Sequence, residues 1–167
     1  MKYKASFDKT TKVITILLFM VVTIALLISI SIHSSSHNSA NPVGFLIGFI
    51  VFLLLFTGCY LFSIKDYVVT ESDLIIRRLI GNVTIHLSEI EEARPIAKGE
   101  IRGTIRTFGN GGLFGYYGKF YNRKLGSMTW YATQLQNMIY IKTRSGNKTI
   151  ISPDDPSIID KLTPLAH

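Results

Sequence analysis

Two apolar runs near the amino terminus, residues 13–32 and 43–64, restrict this chain more than anything else in it. Neither contains Asp, Glu, Lys, Arg or His, and only the polar stretch His33-Ser-Ser-Ser-His-Asn-Ser-Ala-Asn-Pro42 separates them. About 20 residues at helical rise cross a hydrocarbon core of about 30 Å. The runs therefore predict a transmembrane helical hairpin with an outer loop at 33–42. Residues 1–64 form the membrane anchor and residues 65–167 a separate polar domain of about 100 residues, enough for one modest core. Location is much better specified here than activity.

Charge orients the hairpin. Lys2, Lys4, Lys9 and Lys12 precede the first run with only Asp8 opposing them, the connecting loop has no Lys or Arg, and most of the chain's 18 basic residues follow the second run. The positive-inside rule then places both termini in the cytoplasm. The first run is too long for a signal-peptide core and a second span follows, so it is read as an uncleaved anchor. With no ionisable residue in either span, a transporter or pump is disfavoured. Cys59, the single cysteine, sits in the second span and permits no intrachain disulfide. Gly44 and Gly48 form a Gly-xxx-Gly pair that lets helix backbones approach closely. Packing of the hairpin against its own first helix is weighted above a dimer contact.

From Lys65 the pattern becomes short β segments with turn signals every 8 to 12 residues or so. Tyr67–Thr70 and Leu74–Ile80 flank the turn Glu71-Ser-Asp73, and Gly81-Asn82 leads into the alternating Val83, Ile85 and Leu87. Ser88–Arg94 is equally a strand or a helical turn. Strands follow at Thr104–Phe108, Leu113–Tyr121, Leu125–Thr133, Met138–Arg144 and Lys148–Ile151. Asp154-Asp155-Pro156-Ser157 carries capping groups and a first-turn proline for a short helix through Ile158, Ile159 and Leu162. The expected architecture is mainly β, about seven strands as a PH-like barrel closed by a C-terminal α-helix.

The run Arg106-Thr-Phe-Gly-Asn-Gly-Gly-Leu-Phe-Gly-Tyr-Tyr-Gly-Lys-Phe-Tyr-Asn122, with Leu74–Gly81, Leu87–Ile90, Leu125-Gly126, Tyr131–Thr133 and Ile151–Pro156, resembles the bacterial PH domain proteins. The resemblance covers most of 66–162. It implies a PH-like barrel on a two-helix anchor in a bacterial inner membrane.

Chemistry-bearing motifs are scarce. The glycine string fails the Gly-x-Gly-x-x-Gly spacing, because Phe114 holds the third position counted from Gly109, and its glycines fit a tight turn and close packing. Phe108, Phe114, Tyr116, Tyr117, Phe120, Tyr121, Trp130 and Tyr131 are interleaved with Arg106, Lys119, Arg123 and Lys124. Such mixtures bind single-stranded nucleic acid. Beside a membrane the same composition fits an anionic leaflet better, so nucleic acid is not expected. Sheet alternation assigns about half of these aromatics to the core. The PH resemblance leads one to look for a basic first hairpin, but Glu71 and Asp73 occupy that turn and argue against inositol phosphates. His33 and His37 lack companions for a metal site, and no nucleophile motif is present. The sequence thus points to a non-enzymatic binding module without metal or cofactor. It presents a protein-interaction surface at the cytoplasmic membrane face; the alternative is anionic head-group sensing by Arg106, Lys119, Arg123 and Lys124.

Overall fold

The computed structural model describes residues 1–35 and 42–162. The outer loop expected at 33–42 lies largely outside the described residues, His37 included, as does the side chain of His33. The chain opens with a short strand, β1 (Lys2–Lys4), followed by helix α1 (Lys9–Ser35) and helix α2 (Pro42–Leu61). Asp8 starts α1: its carboxylate accepts the Thr11 amide at 2.6 Å and its carbonyl the Lys12 amide at 3.1 Å. Pro42 opens α2, where a missing N–H costs nothing. One stretch, Lys9–Ser29, is long and apolar enough to cross a membrane, and Leu46–Leu61 within α2 is apolar but shorter. Both helices leave large apolar side chains such as Leu17, Phe19, Leu54 and Leu55 exposed. A Cβ at Gly44 or Gly48 would meet nothing within 4 Å among the described residues.

After α2 come β2 (Ile64–Val69), β3 (Asp73–Arg78), β4 (Val83–His86), a 3-10 turn at Leu87–Glu89, and β5 (Ile90–Pro95). Then follow β6 (Ile105–Gly111), β7 (Tyr116–Asn122), β8 (Gly126–Ala132), β9 (Ile139–Thr143) and β10 (Lys148–Ile151). They form two sheets, β1-β2-β3-β4 and β5-β9-β10-β8-β7-β6. No closed barrel forms, which corrects the expected architecture. The 3-10 turn after β4 carries the chain out of the first sheet, and β5 pairs with β9 instead. The ambiguous Ser88–Arg94 thus holds both elements. In the second sheet β10 lies antiparallel to β9 and parallel to β8.

The main core lies between the sheets. Tyr67, Leu74, Ile76 and Ile85 meet Ile90, Ile139, Ile141 and Ile151 there. Strand alternation sends the neighbouring Tyr140 and Ile150 to the opposite face of the second sheet, into a smaller cluster with Phe120, Met128 and Trp130. At the centre of the main core, the fully buried Tyr67 hydroxyl donates to the Tyr131 carbonyl at 2.7 Å and accepts the Ser152 amide at 3.1 Å. Burial pushes its ionisation far above the usual tyrosine range. The C-terminal segment is a 3-10 turn (Pro156–Ile158) and a single helical turn, α3 (Ile159–Leu162), which buries Ile158 and Leu162 in this core. Asp155 caps it by accepting the Ser157 amide at 2.9 Å.

Residues 1–64 also supply a strand to the first sheet. β1 pairs with β2, setting Tyr3 opposite Tyr67. Asp66, buried beneath this pairing, takes two bonds from Arg77, at 2.5 and 2.7 Å, and lies 3.4 Å from Lys2. The Arg77 guanidinium holds the Asp66 carboxyl below the usual carboxylate range. Asp154 secures the chain two residues beyond β1, at Ser6, whose amide and hydroxyl donate to it at 2.9 and 2.6 Å.

Candidate binding surface

The aromatic stretch divides by position. Residues Gly112–Gly115 turn β6 into β7 and reach the helices: Phe114, at φ +56°, sits edge-on to Phe56 and Tyr60 of α2 at 4.9 and 5.3 Å between ring centroids. Tyr117 donates from its hydroxyl to the Cys59 carbonyl at 2.6 Å, and burial raises its ionisation well above the ordinary value. These contacts fix one end of the β6–β7 ribbon against the helices. Along β7 the chain runs about 20 Å away from them.

Glycine makes the ribbon possible. Gly109 and Gly118 face each other across β6 and β7, at φ +100° and +123°. A Cβ on Gly109 would lie 2.4 Å from the Tyr117 carbonyl oxygen, and one on Gly118 would lie 2.4 Å from that of Phe108. The string is thus explained by close backbone approach, with β6 extending through Gly111 where a turn was expected from Gly109.

β6 is an edge strand, and among the described residues its free side has no neighbouring strand. Its register with β7 sets Ile105 opposite Tyr121 and Phe108 opposite Lys119, with a bulge between Arg106 and Phe108. Ile105, Phe108, Lys119 and Tyr121 therefore share one face of the ribbon. There the apolar side chains are open to solvent: Phe108 is 75% exposed, Ile105 60% and Tyr121 44%. A large apolar group beside an unpaired strand edge is the feature that soluble proteins ordinarily suppress.

The four basic residues singled out in the sequence are not brought together. Arg106 lies opposite Phe120 and so on the other face of the ribbon from Lys119, which donates to the Thr129 hydroxyl at 2.8 Å. Arg123 and Lys124 occupy the β7–β8 turn, at the end of the ribbon away from the helices. Of the aromatics, Tyr116, Phe120 and Trp130 are buried, whereas Phe108 and Tyr121 are exposed. Arg77 and Arg78 take opposite faces: Arg77 binds Asp66, and Arg78 lies over the rings of Phe62 and Tyr131 at 5.6 and 5.7 Å. Among the described residues no group of three His, Cys, Asp or Glu side chains could hold a metal ion.

The family model described as Bacterial PH domain matches residues 65–163, more than half of the chain. The chain belongs to the bacterial PH domain family. Neither a curated protein nor a solved structure matches it. In this bacterial PH domain the matched region begins one residue into β2 and covers every later strand; β1, which completes the first sheet, lies outside it. PH domains are typically non-enzymatic binding modules, so membership suggests that binding is the business of the domain.

Proposed function

We propose that this bacterial PH domain is a membrane-anchored binding module that recruits an extended protein segment to the free edge of β6. The observation that carries the proposal is the exposed Ile105, Phe108 and Tyr121 face beside an unpaired strand edge. Strand addition satisfies the edge N–H and C=O groups, and alternate side chains of the incoming segment cover the apolar patch. Lys119 lies within that patch and Arg123 and Lys124 close its far end, which favours a partner with acidic side chains among apolar ones.

The anchor in this proposal is the two-helix hairpin, with both termini on the cytoplasmic side of a bacterial inner membrane. β1 and β2 are antiparallel neighbours, so α1 leaves the domain and α2 re-enters it at adjacent positions. That arrangement supports two passes through one bilayer rather than one. Lys2, Lys4, Lys9, Lys12 and Lys65 all lie at this junction, on the side where the positive-inside rule wants them. The Ile80 amide donates to the Leu61 carbonyl at 3.1 Å, which holds the exposed Leu79 and Ile80 beside the end of α2 at interfacial depth.

Head-group sensing by Arg106, Lys119, Arg123 and Lys124 is the weaker alternative. On this anchor Arg123 and Lys124 project about 20 Å beyond the helix junction, further than the Debye length of about 8 Å in physiological salt. The test uses the full-length protein in phosphatidylcholine nanodiscs and two synthetic peptides, one alternating Val with Glu and one alternating Val with Lys. The Val/Glu peptide should protect the β6 amides from hydrogen exchange, and Phe108→Lys should abolish that protection. Equal protection by both peptides, or protection confined to the β4 edge, would remove the proposal.

A further inference from the structure

The face of the second sheet opposite the exposed patch carries a cavity. Residues 96–104 fold over that face, and three interactions hold them there. Arg94 pairs with Glu100 through bonds of 3.2 and 2.9 Å while lying 5.1 Å over the Tyr140 ring. Glu100 also accepts the Ala97 amide at 3.0 Å. The buried Asn122 amide nitrogen is shared among the Glu100 carbonyl, the Arg102 carbonyl and the Thr104 hydroxyl, at 3.2, 3.3 and 2.8 Å. Beneath this cover a concavity of about 430 Å³ remains, lined among others by Ile101, Thr104, Arg106, Phe120, Trp130 and Leu135. That volume falls within the range of small-molecule sites.

Its chemistry is one-sided. The walls are aliphatic at Ile101 and Leu135 and aromatic at Phe120 and Trp130, whose rings stack at 4.4 Å. Trp130 is 3% exposed, and its indole N–H is buried without a hydrogen-bond partner. A buried donor left unpaired is uncommon in a folded protein and calls for an acceptor. Arg106 has no ion-pair or hydrogen-bond partner among the described residues. Gly111 leaves the room its guanidinium occupies, since a Cβ there would come within 3.3 Å of Nη1. The Thr104 oxygen already accepts from Asn122, so its O–H is free to donate. No Asp or Glu lines the cavity among the described residues. Arg106 and Thr104 offer donors, one of them cationic, beside an apolar floor with no fixed anion to answer them, and the Trp130 N–H lies unpaired within the wall.

We propose that this cavity binds an amphipathic carboxylate, with the acid on Arg106 and the Trp130 N–H and the apolar body against Ile101, Phe120 and Leu135. The ligand is either a free molecule or part of an anionic lipid. It lies on the opposite face from the peptide surface and stands independently of it. Trp130 is the only tryptophan in the chain, so a single indole N–H resonance reports on the site.

The experiment uses full-length protein, uniformly ¹⁵N-labelled, in phosphatidylcholine nanodiscs, titrated with octanoate or with octanol as the neutral equivalent. Octanoate should move the indole resonance saturably and bind about tenfold more tightly than octanol, the margin of one charge-assisted hydrogen bond. Arg106→Gln should bring the two to equal affinity, and Arg106→Lys should restore part of the difference. The remaining backbone spectrum checks that each variant is folded. Nanodiscs containing phosphatidylserine, whose head group carries a carboxylate, and no octanoate assign the source. A shift there identifies lipid as the occupant, and its absence alongside an octanoate response identifies a free molecule. Equal shifts from octanoate and octanol, no shift from either, or an unchanged octanoate preference in Arg106→Gln would overturn the proposal.

Discussion

Replacing Tyr3 by alanine should detach the first strand from the domain. β1 is three residues long and pairs only with β2, so its hold depends on few interactions. Tyr3 is buried in the main core opposite Tyr67. The Val69 amide donates to the Met1 carbonyl at 2.8 Å, and the amino terminus bonds the Val69 carbonyl. Truncating a buried aromatic residue to alanine costs about 3 to 5 kcal/mol. An edge position with room to relax takes the lower end, so about 3 kcal/mol. That corresponds to about a hundredfold rise in the population of molecules with β1 open. Amide hydrogen exchange at Val69, measured in nanodiscs, reads that population directly. Tyr3→Phe supplies the control, because the hydroxyl makes only a 3.9 Å contact with the Met1 sulfur. Val69 should exchange about two orders of magnitude faster in Tyr3→Ala and near the native rate in Tyr3→Phe. An unchanged Val69 rate in Tyr3→Ala would show that β1 does not belong to the sheet in solution.

Asp66→Asn should lower stability by about 2 kcal/mol, the scale of a hydrogen-bonded charge pair, in a denaturant titration at neutral pH. The Asp66 carboxyl ionises more readily folded than unfolded, so its contribution is present above the ordinary carboxylate value near 4 and lost as pH falls through its depressed one. The native protein should therefore weaken in that acid range more than Asp66→Asn does. Tyr67→Phe removes the acceptor of the buried Ser152 amide and should cost about 1 to 3 kcal/mol by the same titration. Gly118→Ala should separate β6 from β7, seen as lost exchange protection at 105–111, because its Cβ would sit 2.4 Å from the Phe108 oxygen. Asn122→Ala should free residues 96–104, and trypsin should then cut at Lys98 or Arg102 in folded protein.

Strand periodicity made most of the second half legible. Alternation in Val83–Leu87 marks which side chains face the core, Met138–Arg144 was legible as a strand, and the Asp155 cap was visible from its place before Pro156. β1 was not legible. Lys2 and Lys4 look like charges flanking a membrane span, and nothing local shows that Tyr3 lies opposite Tyr67 across two intervening helices. β6 was read too short because glycine is disfavoured in strands, whereas here Gly109 and Gly118 are required for two backbones to approach. The four basic residues looked like one cluster because they are close in sequence. A strand sends neighbours to opposite faces, and that separates Arg106 from Lys119. The cavity depends on residues 96–104 crossing over the sheet, a tertiary event with no sequence signature beyond the Arg94 and Glu100 charges. Exposed Phe108 could have been inferred only by knowing that β6 is an edge.

The central claim is that both helices cross one membrane and leave the whole β domain, its first strand included, on the cytoplasmic side. Single cysteines placed at Ser39, between the two apolar runs, and at Ser72, in the exposed turn between β2 and β3, test it in a Cys59→Ser background with a membrane-impermeant maleimide. In intact cells the account expects Ser39→Cys to be labelled and Ser72→Cys to be labelled only after the membrane is permeabilised. Labelling of Ser72→Cys in intact cells, or protection of Ser39→Cys until permeabilisation, would contradict it.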